Sequence, residues 1–222
     1  MIMLIKFFIS AFEKLPNDSL ASLSEHTRQG LASNPNDWPD VEYIILSSKV
    51  GRKVTSPGTN PNGHNYGSIE LALVAPFSRG SLTIQSNDMH DYPLIDPNWL
   101  SDPRDQEVAV AGYKRVREFF QTRAMKSVTI GDEYSPGAKV SSDADILKQI
   151  KTDFDTVHHA ACTCRMGRRD DPTAVVDSKA RVIGVEGLRV VDASSFALLP
   201  PGNPMATICE CTIHVAGGWV YR

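Results

Sequence analysis

The chain has 222 residues, of which 41% are hydrophobic and 22% charged, and it carries a formal net charge of -3. That length holds one large domain or two small ones around an apolar core, and the composition is that of a soluble globular protein. Such a charge gives no electrostatic reason to expect nucleic acid or an anionic membrane as partner.

Residues 1–9 are apolar but interrupted by Lys6 and followed by Glu13 and Lys14. A bilayer span needs roughly 20 residues. A secretory signal needs a basic start and a small-residue cleavage site, and only its apolar centre is present. The stretch reads as a strand or helix whose upstream partner lies outside the chain. A signal peptide is the minority alternative, and a cytosolic location is the default expectation.

Asn34-Pro35-Asn36-Asp37-Trp38-Pro39 reads as a loop, and 41–46 as a short strand. A second loop, from Ser56-Pro57-Gly58 to Gly63, is dense in Pro, Gly and Asn and suits a flexible lid. Ile69, Leu71 and Leu73 alternate with Glu70, Ala72 and Val74, and Leu82 and Ile84 alternate with Thr83 and Gln85. With the Pro76-Phe77-Ser78-Arg79-Gly80 turn between them, these runs predict a β-hairpin with one buried face. Asp102 and Pro103 then form the N-cap and first position of an amphipathic helix running to about Met125. Val108, Ala111, Val116, Phe119 and Phe120 supply its apolar face. Ser142 and Asp145 make a capping-box-like start for a helix carrying Ile146, Leu147 and Ile150. Leu188-Arg189-Val190-Val191 is a nearly continuous apolar run that suits a strand covered on both faces.

The four cysteines form two C-x-C pairs, Cys162/Cys164 and Cys209/Cys211, a poor spacing for a stapling framework. Reduced thiols are expected. Together with His158, His159 and His214 they admit a zinc reading, but neither pair has the C-x₂₋₄-C spacing usual for structural zinc. No metal is expected. Arg165, Arg168 and Arg169 are balanced at once by Asp170 and Asp171, which reads as a solvated loop.

The chemistry-bearing stretch is Val157-His158-His159-Ala160-Ala161-Cys162-Thr163-Cys164-Arg165-Met166-Gly167. It is followed by Ala174-Val175-Val176-Asp177, by Gly187-Leu188-Arg189-Val190-Val191-Asp192-Ala193-Ser194, and by Pro201-Gly202-Asn203-Pro204-Met205-Ala206-Thr207. In this order and spacing the four pieces resemble the C-terminal signature of the glucose–methanol–choline oxidoreductases, FAD-dependent enzymes acting on alcohols. Pro76-Phe77-Ser78-Arg79-Gly80-Ser81, Pro93-Leu94-Ile95-Asp96-Pro97 and Trp38-Pro39-Asp40-Val41-Glu42 fit as well, so the resemblance covers roughly residues 38–207. The His158-His159 pair and the C-T-C run look closest to fungal members linked to secondary metabolism.

The resemblance implies that His159 removes the hydroxyl proton as a hydride leaves the alcohol carbon. Histidine suits that task because it titrates near neutrality. Asn203 takes the position of a second polar group on the same oxygen; it orients substrate but is no base near neutral pH. Asp192, Ala193, Pro204 and Met205 match positions that approach the flavin, where backbone amides would meet its pyrimidine end. His158 is placed as a structural neighbour. The plainer readings remain open: a satisfied core histidine for His159, a turn residue for Asn203, a helix N-cap for Asp192.

The expected fold class is α+β: an antiparallel sheet with flanking helices, plus a C-terminal strand and helix segment that would complete an α/β FAD-binding domain. The division is expected near residue 155, with a substrate-binding domain over 1–155 and a catalytic segment over 156–222. The G-x-G-x-x-G turn that would hold the FAD pyrophosphate does not occur, so the chain is expected to begin inside the family's middle. The β-branched residues and paired glycines near the end weaken a helix there, and the tail reads as aberrant or truncated.

Function is therefore expected to be that of part of an FAD-dependent oxidoreductase on CH–OH donors, with a small-molecule alcohol as substrate and a separate N-terminal flavin-binding half as possible partner. One alternative is a non-catalytic fragment without flavin. A second is the lyase or ring-closing chemistry of some family members.

Overall fold

The computed structural model describes residues 8–50 and 64–216. The expected lid over 56–63, the first seven residues of the opening stretch and the final six residues lie outside them.

The described residues fall into two compact units, one from 8–50, 64–79 and 98–155, the other from 80–97 and 156–216. In the first, strands β1 (Phe8–Glu13), β2 (Val41–Leu46) and β3 (Ser68–Leu73) make an antiparallel sheet in that order. Short helices α1 (Asn17–Ala21) and α2 (Glu25–Ala32) connect β1 to β2. The main helix α3 (Pro103–Gln121) packs along β3, with Leu71 against Gly112. Leu15, Leu23, Leu31, Val41, Val108 and Ala111 form the core between these elements.

Asp102 caps α3 as expected, its carboxylate accepting the Arg104 N–H. The helix is shorter than the periodicity predicts. Thr122 takes an extended conformation and caps a separate turn, α4 (Arg123–Lys126). Only the first half of α3 is buried; Phe119 is 40% exposed. Helix α5 (Asp143–Asp153) starts at Ser142, which accepts the Asp145 N–H and donates to its carboxylate, and it buries Ile146 completely. Arg115 of α3 reaches Glu13 of β1 at 2.8 Å, and the Tyr43 hydroxyl donates to the same carboxylate. The Arg115 guanidinium holds that carboxyl below its usual range.

The predicted hairpin is corrected. β3 pairs with β2, while β4 (Ser81–Thr83) pairs with β5 (Leu94–Asp96) in a separate two-stranded ladder. Asp105, 2% exposed in the first turn of α3, explains the divergence. Its two oxygens accept the Phe77 and Ser78 N–H groups, each at 2.7 Å, and the Ser78 hydroxyl as well. The turn is thereby bonded to a helix instead of closing a hairpin. At Gly80 the chain passes so close to β5 that a Cβ would lie 2.3 Å from the Asp96 carbonyl oxygen.

Two further expectations change. The run 188–191 forms no strand; it makes one bridge, Arg189 to Arg181, and Leu188 is 51% exposed. A strand inside a two-sided sheet needs neighbours on both edges, and among the described residues only the 180–182 stretch lies beside it. The segment after Asn203 is helical, α6 (Met205–Ala216), despite its β-branched residues. Propensity is a weak prior that tertiary context routinely overrides. Among the described residues no helix is long and apolar enough to cross a membrane.

Candidate functional site

The site-bearing segments all belong to the second unit, and backbone hydrogen bonds stitch them together. The N–H groups of Cys162, Cys164 and Met166 donate to the carbonyls of Ala193, Ser194 and Ser195 at 3.0, 2.8 and 2.9 Å. Alternate residues of the histidine-bearing stretch are thus fastened to consecutive residues of a 3₁₀ turn, Ala193–Ser195. Val175 N–H donates to Arg165, Gly167 N–H to Val176, and Ile183 N–H to Val175. Val182 and Val190 N–H groups then reach Leu188 and Ala180. The family-like pieces that look separate in sequence form one laced scaffold.

His159 precedes the stitched residues in the chain and is half-buried, whereas His158 is exposed. The residue before it and the residue three after it, His158 and Cys162, have φ of 62° and 67°. Left-handed backbone at residues other than glycine costs on the order of 1–2 kcal/mol each and persists where the surroundings impose it. Here the Thr156 hydroxyl accepts the His158 N–H at 2.9 Å on one side, and Ala193 anchors Cys162 on the other. The result is a short bow in the chain that displays His159.

Asp192 caps the 3₁₀ turn: its carboxylate accepts the Ser194 N–H at 2.7 Å, and its carbonyl accepts the Ser195 hydroxyl. Its side chain is exposed and Ala193 is half-buried. Asn203 is exposed and follows Gly202, whose φ of 99° suits only glycine well. Pro204 is buried and its carbonyl accepts the first bond of α6 from Ile208, while Met205 is 73% exposed. The structure therefore joins the His159 stretch directly to Ala193, beside Asp192. It sets Asn203, Pro204 and Met205 at the start of a helix whose first amides have no carbonyl partner within it.

Asp177 is a hub that the motif reading quoted without assigning it a task. It is 5% exposed and accepts from the Lys179 and Arg181 N–H groups and from the Arg169 and Arg181 guanidinium groups. Arg181 holds its carboxyl well below the usual range. Asp171, bonded by the Thr173 hydroxyl and Arg165, is lowered to about 2. Arg168 pairs with Asp170 at 2.9 Å, so the arginine run is neutralised locally. Its signal in sequence is the aspartate closing A-V-V-D, followed four residues later by Arg181.

These carboxyls titrate lower in the fold than in the unfolded chain. They add stability above an unfolded value of about 4, and lose it as pH falls through the folded values. Amide protection at Gly167 and Val176 is therefore expected to hold down to about pH 4 and to fall by about pH 2. Hydrogen exchange followed by NMR measures it, and protection unchanged at the acid end would contradict the assignment.

None of the four cysteines forms a disulfide bond. Among the described residues no group of three or more His, Cys, Asp or Glu side chains is arranged to hold a metal ion.

Residues 76–211 match the GMC oxidoreductase family. The chain belongs to that family and corresponds to its C-terminal part. It is 52% identical to patulin synthase of Aspergillus clavatus, over 94% of this chain and 33% of that protein. To versicolorin B synthase of Aspergillus parasiticus it is 45% identical, over 93% of this chain and 31% of the other. The formate oxidase of Aspergillus oryzae shares the fold with a TM-score of 0.80 at 21% identity, over 94% of this chain and 37% of that one. The chain thus spans about a third of the length of these curated relatives. Fungal members of secondary metabolism, expected from the paired histidines and the C-T-C run, are among its relatives.

Proposed function

We propose that this chain is the substrate-domain and proton-transfer portion of an FAD-dependent oxidoreductase acting on CH–OH groups, with residues 1–155 chiefly binding substrate and 156–222 carrying the reactive groups. The observation that carries this reading is the display of His159 on a bow anchored to Ala193 within the family's stitched scaffold.

His159 accepts the hydroxyl proton of the alcohol, and its half-burial limits competition from solvent. The Asn203 amide hydrogen-bonds the same oxygen and fixes its direction. FAD, when bound, supplies the acceptor for the hydride. Residues 202–207 fit the ring end of that group: Gly202 turns the chain into α6, the first amides of α6 lack partners in the helix, and exposed Met205 offers apolar surface. Asp192 keeps the turn bearing Ala193 in shape, and Ala193 brings its backbone to the same end. These residues span about a third of the relatives' length and hold no glycine-rich turn for the diphosphate, so that end of FAD falls to the part of the family's fold outside them.

Mixing the chain with FAD and following flavin fluorescence tests the division of labour. Weak, ring-only binding is expected, at least about 100-fold poorer than in the chain joined to a nucleotide-binding half, because pyrophosphate contacts are missing. Only the joined protein is expected to bleach its flavin when alcohol is added without oxygen. Absence of bleaching in the joined protein with a broad panel of alcohols would leave the non-catalytic reading in place.

A further inference from the structure

The second unit carries more cations at one place than its carboxylates can match. Arg165, Arg168 and Arg169 are paired one for one with Asp171, Asp170 and Asp177. Arg181 comes on top of that run and leans on the same Asp177 oxygen as Arg169, at 2.8 and 3.1 Å. The other Asp177 oxygen accepts the Lys179 and Arg181 N–H groups. Asp177 is therefore fully used. Arg169 Nε and Nη1, Arg181 Nη1 and the Ser178 hydroxyl remain without a partner among the described residues.

Backbone pairing adds a second unmatched cation. Arg181 and Arg189 stand opposite each other in an antiparallel bridge. The bonds flanking them, from Val182 N–H to Leu188 and from Val190 N–H to Ala180, make them a non-hydrogen-bonded pair. Side chains of such a pair share a face and approach closest, with Cα atoms about 4.5 Å apart, and like charges there are destabilising. Arg189 is exposed and forms no ion pair among the described residues. Exposed Lys179 and Glu186 add one charge of each sign, so the positive charges of Arg181 and Arg189 are left over. Beside them opens a cleft of about 440 Å³, lined in part by Met166, Arg169, Asp177, Ser178 and Arg181. Small-molecule sites run from about 300 to 1,000 Å³, so it can hold an anion with an organic group attached.

We propose that this cleft binds a phosphate monoester of a small organic molecule, held by Arg169, Arg181 and the Ser178 hydroxyl, with Arg189 adding charge and Met166 flanking the organic part. Guanidinium forks match the oxygens of a phosphate group. A monoester carries about −1.5 to −2 charges at pH 7, which offsets the two arginines left over. A carboxylate brings one charge and two oxygens, and would leave one arginine unmatched. Asp177 is the brace of the site. Its carboxyl is buried and held well below the usual range by Arg181, so it stays ionised and keeps both forks in place before the ligand arrives. Donors fixed in advance lose less freedom on binding. Nothing in this assignment depends on alcohol oxidation.

The test is an NMR titration of the whole chain, without flavin, at fixed ionic strength so that screening does not change. Phenyl phosphate is the probe, with inorganic phosphate, benzoate and ADP as comparators. Saturable amide shifts at Gly167, Ser178 and Arg181 are expected with phenyl phosphate, and at least about fivefold weaker binding of inorganic phosphate and benzoate. Arg169→Gln is expected to weaken phenyl phosphate at least about fivefold, and Arg189→Gln about threefold. Arg169→Lys keeps the charge but loses the fork, and should recover only part of the loss. If Arg169→Gln does not fold, Arg189→Gln, which removes no ion pair, carries the comparison. The proposal is overturned by the absence of saturable shifts up to about 10 mM probe, a concentration at which even millimolar affinity registers. Unchanged affinity in the arginine variants overturns it too. Benzoate binding as tightly would make the cleft a carboxylate site, inorganic phosphate binding as tightly would make it a free-ion site, and tighter ADP would make it a diphosphate site. Each of these outcomes also overturns the monoester assignment. Flavin reduction enters none of them, so failure of the oxidoreductase reading is registered separately.

Discussion

In the flavin-loaded protein, His159→Ala is expected to slow flavin reduction by alcohol by about 10²–10⁴-fold, the usual worth of a positioned general base. At about 1.4 kcal/mol per decade this is about 3–5 kcal/mol of barrier. The Asn203 amide cannot take over, because it does not accept a proton near neutral pH. The loss should shrink as pH rises, since alkoxide and hydroxide then bypass the missing base. Anaerobic stopped-flow reduction across a pH series measures it, with FAD affinity as a check that the site has survived. His158 supplies a contrast: its φ of 62° is tolerated by asparagine, so His158→Asn should keep most of the rate. A variant at His159 that reduces its flavin at the parental rate removes this residue as proton acceptor.

The largest expected effect on stability lies at Asp105. Replacing it with alanine strips the partner from two backbone N–H groups and one hydroxyl at a site 2% exposed. Leaving buried donors unsatisfied costs about 1–3 kcal/mol each, partly offset by relaxation, so a loss of about 3–5 kcal/mol is expected. Domains of this size have about 5–15 kcal/mol in total, so the variant is expected to be marginal at best. Asp105→Asn keeps one accepting oxygen and should lose about half as much. Urea unfolding of both variants measures this, and a loss below about 1 kcal/mol for alanine would mean that the bonds do not hold the β3–α3 corner. The effect should concentrate at Phe77 and Ser78, whose amide exchange would accelerate first.

Several elements were legible because their cause is local. The β2 strand over Val41–Leu46, the Asp102 and Ser142 caps, and the helices behind them follow from alternation, helical spacing and side-chain oxygens placed beside backbone amides. The family, too, was legible, since four motif pieces in order need no knowledge of distance. The failures share an opposite cause. β3 and β4 each read well as strands, but the turn between them is bonded to Asp105, 27 to 28 residues further along the chain, and each strand pairs elsewhere. The apolar run 188–191 carries a strand-like pattern whose expression depends on neighbours that pattern alone does not provide. In α6 helix forms despite weak propensity, which is only a weak prior.

For the site itself, the resemblance of the ordered motif pieces to the family's signature marked His159, Asn203, Asp192, Ala193, Pro204 and Met205 as candidates, and for His159 the chemistry of a proton acceptor agrees. Sequence could not foresee that Cys162, Cys164 and Met166 fasten onto Ala193, Ser194 and Ser195, or that His158 and Cys162 adopt left-handed backbone to bow the chain at His159. Nor could it separate the buried acids. Asp105 and Asp177 look like any other aspartate as letters, and only the folded packing decides that they are surrounded by donors. Identity and chemistry are properties of residues and their order. Partnering is a property of distance, and distance between remote residues exists only once the chain has folded.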